Sequence, residues 1–338
     1  MIRRTLIIAA LAVAGLGLAA CDNKAAAPSA GATPTELTFS ILSAENQTSM
    51  QPLWQPLLDD MSAQIGVKVK PYFATNYTSL VEAMRFKQVQ MGWFSAAPAL
   101  QAIKRADAEV LGRVVDAGGD ATYKSVIIVK KGSGVTLEKL LKCDKTLAFG
   151  IGDTQSTSGT LAPKAYLFTP RNIDPQTCFK TVRAANHQAN VNAVAAGFMD
   201  AATNTSVGLV FAARQNAELA NKIEVIWSSP PLPESSIVVR RDLDPALKEK
   251  IRQFFLTYGV GTDAKAQAQR VVLKGLAYGG FRPADNSYLD PVREMEAAEE
   301  VALARRSGDA GKLAKAQAAF DKVQADAAKN RAVNPSVQ

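Results

Sequence analysis

Histidine and cysteine are scarce in this chain of 338 residues, which has one histidine, His187, and three cysteines, Cys21, Cys143 and Cys178. Zinc sites built from several histidines or from four cysteines are therefore largely excluded. A phosphatase would need a metal cluster or a nucleophile with its base, and one histidine without clustered acids does not favour that chemistry. The sequence predicts a protein that is not an enzyme and needs no metal or cofactor.

The chain also lacks a basic stripe. Its 39 Lys and Arg residues exceed its 31 Asp and Glu residues only mildly, and they are scattered, so we expect no nucleic-acid partner. With 47% hydrophobic and 21% charged residues, the composition is that of a soluble globular protein. The length predicts about two domains, each large enough to bury a core.

Only one long hydrophobic run is present, and it lies near the N-terminus. Leu6 to Ala20 follows Arg3 and Arg4 and is shorter than the roughly 20 residues that span a bilayer, so it is typical of a signal peptide. It ends at Cys21 in a sequence that resembles a bacterial lipobox, in which the cysteine is lipidated. We predict a signal peptide over residues 1–20 and a flexible tether over 21–35. An ordinary signal peptide with an incidental Cys21 is the alternative.

These segments predict the location of the protein. Export would carry it to the periplasm, and the residue after Cys21, Asp22, resembles a signal for retention at the inner membrane. Export would also place Cys143 and Cys178 in an oxidising compartment, where paired cysteines form disulfides. Each precedes a predicted strand, and the starts of neighbouring parallel strands are close enough for a bridge. Two free buried thiols are the alternative.

Strands and helices alternate along most of the chain. Strands are predicted at 37–42, 67–73 and 91–94 with helices at 50–64 and 77–85 between them, and the pattern restarts after Gly132. Such alternation is typical of α/β folds with mostly parallel sheets flanked by helices, which bind ligands at the carboxyl ends of strands. We predict one lobe from 36–128 plus 237–290, a second from 129–236, and a helical C-terminal extension over 291–338.

Three consecutive hydroxyl residues follow one predicted strand. Ser156, Thr157 and Ser158 precede Gly159 at a strand-to-helix junction, where hydroxyl and backbone N–H donors favour an anion. No Lys or Arg lies between residues 146 and 163, so neutral donors would hold that anion. A plain helix cap is the alternative. His187 also opens a predicted helix, where a nearby negative ligand would explain it, and a purely structural histidine is the alternative.

Several separated motifs together resemble a known family. They include Ser-Thr-Ser-Gly at 156–159, Asn-His at 186–187, Asp-Ala-Ala-Thr-Asn-Thr at 200–205 and Gly-Phe-Arg-Pro at 280–283. This set, over about residues 36 to 300, resembles the periplasmic phosphate-, phosphite- and phosphonate-binding proteins of ABC transporters. The resemblance implies the type II periplasmic binding protein fold, in which two lobes close on a ligand, and transfer of that ligand to an inner-membrane permease.

The resemblance also implies a ligand site. The oxyanion would be bound by six residues: Tyr77, Tyr123, Ser156, Thr157, Ser158 and His187. Members that bind aminoalkylphosphonates hold the ammonium with two carboxylates, and the matching positions here are Val207 and Ser235. Glu234 is one position off, so we expect it to point elsewhere. An unpaired buried ammonium costs several kcal/mol.

The implied ligand is therefore phosphite, methylphosphonate or phosphate, and not an aminoalkylphosphonate. The leading interpretation is a solute-binding lipoprotein that serves an ABC permease. The alternative is a periplasmic sensor lipoprotein that presents its ligand-bound form to a membrane histidine kinase.

Overall fold

The structure is a computed structural model that describes residues 35–333. The predicted signal peptide, Cys21 and nearly all of the predicted tether lie outside the described residues. Thirteen strands are present in the described part: β1 Glu36–Ile41, β2 Lys68–Phe73, β3 Met91–Phe94, β4 Ala108–Val115, β5 Thr122–Tyr123, β6 Ser125–Lys130, β7 Ala148–Ile151, β8 Thr181–Ala184, β9 Ala201–Thr205, β10 Ile223–Ser228, β11 Leu232–Pro233, β12 Ser236–Arg240 and β13 Gly280–Pro283.

The same residues contain twelve α-helices: α1 Gln47–Ile65, α2 Tyr77–Arg85, α3 Ala96–Arg105, α4 Leu137–Leu141, α5 Pro175–Cys178, α6 His187–Ala196, α7 Ser206–Gln215, α8 Ala217–Ala220, α9 Pro245–Thr257, α10 Ala264–Gly275, α11 Asp290–Arg306 and α12 Ala310–Val333. Two π-helical turns, Thr157–Leu161 and Lys164–Phe168, lead into a 3₁₀ turn at Thr169–Arg171. A second 3₁₀ turn spans Asn286–Leu289. None of the helices within residues 35–333 has the length and apolarity to span a membrane.

The strands form two large sheets. One has six strands in the order β13-β4-β12-β3-β1-β2, and the other has five in the order β10-β6-β9-β7-β8. We call the first sheet, with the helices and loops packed on it, the six-stranded half. The second sheet, with its helices and loops, is the five-stranded half. The predicted α/β class is confirmed.

Strand direction differs from the prediction of mostly parallel sheets, because both sheets are mixed. β1 runs parallel to β2 and β3, whereas β12 runs antiparallel to β3 and β4, and β6 runs antiparallel to β9 and β10. Two of the antiparallel strands, β6 and β12, occur where strand follows strand without an intervening helix, whereas β13 follows α10 and also pairs antiparallel with β4. Without a helical crossover, nothing requires a parallel arrangement.

The chain changes sheets between β4 and β6 and returns between β10 and β12, and the short strands β5 and β11 pair at this crossing. The predicted boundary after residue 128 falls inside β6, which belongs entirely to the five-stranded sheet. The change of sheet therefore precedes Ser125. The assignment of lobe boundaries otherwise stays a prediction.

Side-chain alternation explains why the five-stranded sheet is covered on both faces. Along β6, Ile127 and Val129 join the core on one face, and Val126 and Ile128 join the core on the other. Successive residues of a strand point to opposite faces, so a run of apolar residues predicts burial on both sides.

The disulfide prediction is confirmed, since Cys143 and Cys178 are bonded. The strands that follow them, β7 and β8, are parallel neighbours, with Ala148 beside Thr181. The two cysteines therefore approach each other because both chain segments enter the sheet from the same edge.

The C-terminal helices α11 and α12 form a hairpin that contacts both halves of the protein. Glu296 on α11 accepts from Lys104 on α3 at 2.6 Å, and Glu299 accepts from the Thr169 hydroxyl at 2.7 Å. The break between the helices lies at Ser307-Gly308, where Gly308 has a φ of 71°. Helix α11 therefore lies across the junction of the two halves.

Candidate functional site

A tight loop after β7 places the predicted hydroxyl residues at the carboxyl end of that strand. The Gly152 N–H donates to the Gly159 carbonyl at 2.9 Å, and the Ser156 hydroxyl accepts from the Gly159 N–H at 2.9 Å. A Cβ on Gly152 would lie 2.4 Å from the Gly159 Cα, so only glycine permits this approach. The loop is therefore held by its own backbone, which orients Ser156 and Ser158.

His187 is the first residue of α6, in the segment that follows β8. The Asn186 side chain caps this helix by accepting from the Ala189 N–H at 2.8 Å, and Asn204 donates to the His187 carbonyl at 2.9 Å. These bonds fix the backbone on both sides of the imidazole. His187 Nε2 lies 3.4 Å from the Ser158 hydroxyl, whereas Nδ1 is buried without a hydrogen-bond partner among residues 35–333.

A cavity lies between the two halves, next to the ends of β1, β3, β7 and β9. It measures about 50 Å³, counted as the space open to the centre of a water molecule. Its lining includes seven of the residues singled out from the sequence: Tyr77, Tyr123, Ser156, Ser158, His187, Val207 and Ser235. No lysine or arginine of residues 35–333 lines it. The structure therefore brings together side chains that are more than a hundred residues apart in sequence, around a space without a cationic group.

Thr157 is the predicted residue that does not line this cavity. Its side chain is completely buried, and its hydroxyl oxygen accepts from the Ala97 N–H at 2.8 Å and lies 3.3 Å from the Ser95 hydroxyl. Ala97 belongs to the six-stranded half, so this bond crosses between the halves. A direct contact of Thr157 with the ligand stays a prediction.

Two carboxyl groups also line the cavity, and neither is among the six residues predicted to bind the oxyanion. Glu45 follows β1, and Glu234 precedes β12. Glu234, which was expected to point elsewhere, is among the lining residues, and its Oε1 accepts from the Ser235 N–H at 2.8 Å and from the Ser235 hydroxyl at 3.0 Å. This bonding holds Glu234 and Ser235 on the same wall. Glu45 could have been found by the rule that functional side chains follow strand ends.

Burial sets the protonation of these groups. It raises the pKa of Glu45 to about 8 and raises the pKa of Glu234, and it lowers the pKa of His187 to about 4. It also raises the pKa values of the Tyr77 and Tyr123 phenols, which therefore keep their O–H groups at neutral pH. The cavity offers an anion neutral donors, with a neutral imidazole and no cation.

The Tyr123 phenol is a donor available to a bound molecule. It is buried near the hydroxyls of Thr157 and Ser158 but makes no hydrogen bond of normal geometry within the described chain. A phenol in that position can donate to an oxyanion without giving up another bond.

Hydrogen bonds join the two halves around the cavity. The His187 N–H donates to the Ala44 carbonyl at 3.0 Å, and the Asn46 N–H donates to the Gln188 side chain at 3.0 Å. Elsewhere along the cleft, the Tyr77 N–H donates to Asp153 at 3.1 Å. The residues that line the cavity are thus adjacent to contacts that hold its two walls together.

Comparison with known proteins extends these observations. The model of a family described as "ABC transporter, phosphonate, periplasmic substrate-binding protein" matches residues 39–289. The phosphonates-binding periplasmic protein of Escherichia coli (strain K12) is 37% identical over 266 residues, which cover 78% of this chain and 77% of that protein.

Solved structures confirm the predicted type II periplasmic binding protein fold. A binding protein component of an ABC phosphonate transporter from Pseudomonas aeruginosa has a TM-score of 0.83 and 33% identity, covering 88% of this chain and 99% of that chain. PhnD1 from Prochlorococcus marinus, in complex with methylphosphonate, has a TM-score of 0.69 and 21% identity. The match covers 78% of this chain and 97% of that chain. At that lower identity the likeness concerns the fold.

Proposed function

Since the chain belongs to the family of periplasmic substrate-binding proteins of phosphonate ABC transporters, we propose that it captures a small phosphorus oxyanion in the cavity between its two halves. The ligand is phosphite, methylphosphonate or phosphate, and the protein delivers it to an ABC permease of the inner membrane. The observation that carries this proposal is the set of neutral donors around a cavity without lysine or arginine.

Each donor has a stated role in this proposal. The phenols of Tyr77 and Tyr123 and the hydroxyls of Ser156 and Ser158 donate to the oxygens of the ligand, together with the imidazole of His187. A hydrogen bond from a neutral donor to a charged acceptor stabilises a complex by about 1.5–3 kcal/mol. Several such bonds together suffice to hold an oxyanion without a cation.

The exclusion of an aminoalkylphosphonate in this proposal rests on the lack of a charge to meet its ammonium group. Val207 and Ser235 line the cavity and carry no charge. Glu45 and Glu234 line it as well, but burial raises the pKa of both carboxyl groups and so favours their neutral forms. A neutral carboxyl group does not offset the cost of burying an ammonium group.

Attachment to the membrane through Cys21 is part of the proposal, and it depends on residues outside the described part of the chain. The lipobox-like sequence before Cys21 supports it. Fractionation of cells that express the full chain tests it: the protein is expected with membranes, and a Cys21→Ser variant in the soluble periplasmic fraction. A wild-type protein found entirely in the soluble fraction contradicts the anchor.

Titration calorimetry against phosphite, methylphosphonate, phosphate, 2-aminoethylphosphonate and sulfate tests the ligand class. We expect the wild type to bind at least one of the first three more tightly than the last two. Ser158→Ala is expected to weaken that binding, whereas Ser228→Ala, at an exposed strand position, leaves it unchanged. Equal affinity of the wild type and Ser158→Ala would place the ligand elsewhere.

A further inference from the structure

Glu45 is a buried acid without a partner. Only 6% of its surface is exposed, it lines the cavity, and its side chain makes no hydrogen bond to any described residue. A Cβ on Gly208 would lie 3.5 Å from Glu45 Oε1, so the carboxyl group lies against the first turn of α7. A buried polar group left unpaired costs about 1–3 kcal/mol, and more when charged, so a partner is expected from the cavity itself.

No cation faces Glu45 from any element that lines the cavity. The titratable groups there are Tyr77 on α2, Tyr123 on β5, His187 on α6, Glu234 before β12 and Tyr278 after α10. The remaining lining side chains, from α1, α7 and the strand ends, do not titrate. An ionised Glu45 would therefore have no counter-charge and would repel a phosphorus oxyanion at short range.

We propose that Glu45 is a specificity-determining residue that binds the ligand as a neutral acid, donating its O–H to an oxygen of the phosphorus oxyanion. The inference rests on the proposed function and deepens it. It explains how acids can line an anion site: the carboxyl group acts as another neutral donor. It also predicts discrimination, because a ligand that carries an ammonium group would instead require Glu45 to lose its proton.

The protonation of Glu45 is consistent with this role. Burial raises its pKa to about 8, and an anion beside the carboxyl group raises the pKa further. Above about pH 8 the free protein is ionised at Glu45, so binding must take up a proton from solution. By linkage, the affinity then falls by up to about tenfold for each unit of pH. Below pH 7 this uptake disappears.

Calorimetry with methylphosphonate tests this directly. Titrations at pH 7 and pH 9, each in two buffers of different ionisation enthalpy, give the number of protons taken up with the ligand. At pH 9 we expect the wild type to take up about one proton more than Glu45→Gln. Glu138→Gln, at an exposed position on α4, is the matched control and should behave as the wild type.

Three results would overturn the proposal. One is tight binding by the wild type at pH 9 without proton uptake, which needs no variant. The second is equal proton uptake by the wild type and a folded Glu45→Gln. The third is binding of 2-aminoethylphosphonate with release of a proton that Glu45→Gln does not release, since Glu45 would then be a counter-charge. Failure of the wild type to bind any phosphorus oxyanion would instead contradict the proposed function.

Discussion

The hydroxyl oxygen of Thr157 accepts a hydrogen bond from the Ala97 N–H at 2.8 Å, and this bond joins the five-stranded half to the six-stranded half. Both groups are buried, and the Ser95 hydroxyl lies 3.3 Å from the same oxygen. Thr157 thus connects the walls of the cleft next to the cavity. Its oxygen is occupied by a contact that exists only while the two halves are together.

Removal of that oxygen is expected to weaken the binding of all ligands by the same factor. Thr157→Val keeps the shape of the side chain but leaves the Ala97 N–H without its acceptor, at a cost of about 1–3 kcal/mol, or about 5- to 150-fold in Kd. The ratio of the Kd values for phosphite and methylphosphonate should not change in calorimetry. Thr177→Val, at an exposed position, is the control. A loss confined to one ligand would show that Thr157 contacts the ligand.

The Tyr77 phenol is expected to bind the oxyanion. Tyr77→Phe removes one O–H donor and retains the ring that packs in the core, so binding should weaken by about 10- to 150-fold with little change in thermal stability. Tyr166→Phe, outside the cavity, should bind as the wild type does. If Tyr77→Phe binds the oxyanion as tightly as Tyr166→Phe and the wild type do, the Tyr77 phenol does not contact the ligand.

His187 should make the stability of the protein depend on pH. Burial lowers the pKa of His187 to about 4, whereas the unfolded chain takes up this proton near pH 6.5. As the pH falls from 6.5 to 4, the unfolded state binds more protons, so the free energy of unfolding decreases by up to about 1.4 kcal/mol per pH unit.

Urea unfolding of the wild type and His187→Gln at pH 7.5 and pH 5 measures this contribution. Glu45, whose pKa is raised to about 8, acts in the opposite direction between pH 4.5 and 8, but it is common to both proteins. The difference between their pH dependences therefore isolates the imidazole. Parallel curves for the two proteins would show that His187 is not buried as a neutral group.

The disulfide between Cys143 and Cys178 should stabilise the five-stranded half. The cysteines are 35 residues apart, and the loop-entropy model gives about 3–4 kcal/mol for a loop of that length. Cys143→Ser combined with Cys178→Ser should lower the free energy of unfolding by this amount. Thiol titration of the denatured, unreduced protein should detect neither cysteine, and two titrating thiols would contradict the bond.

Much of the site was predictable because strand–helix alternation places the carboxyl ends of parallel strands on one edge. Ser156, Ser158 and His187 lie between a strand and the start of a helical turn or within its first two residues, and all three line the cavity. The pairing of Cys143 with Cys178 followed from the same argument, applied to the starts of two strands. In each case, local order in the sequence determines position in the sheet.

Tertiary structure alone decided what lies opposite these residues. The directions of β6, β12 and β13 depend on how the chain returns between sheets, and strand alternation does not encode this. Glu234 shares the cavity with Glu45 and Tyr77, and Thr157 turns from the cavity because Ala97 meets its oxygen across the cleft. Such contacts join segments distant in sequence, so they depend on the packing of the two halves and not on local pattern.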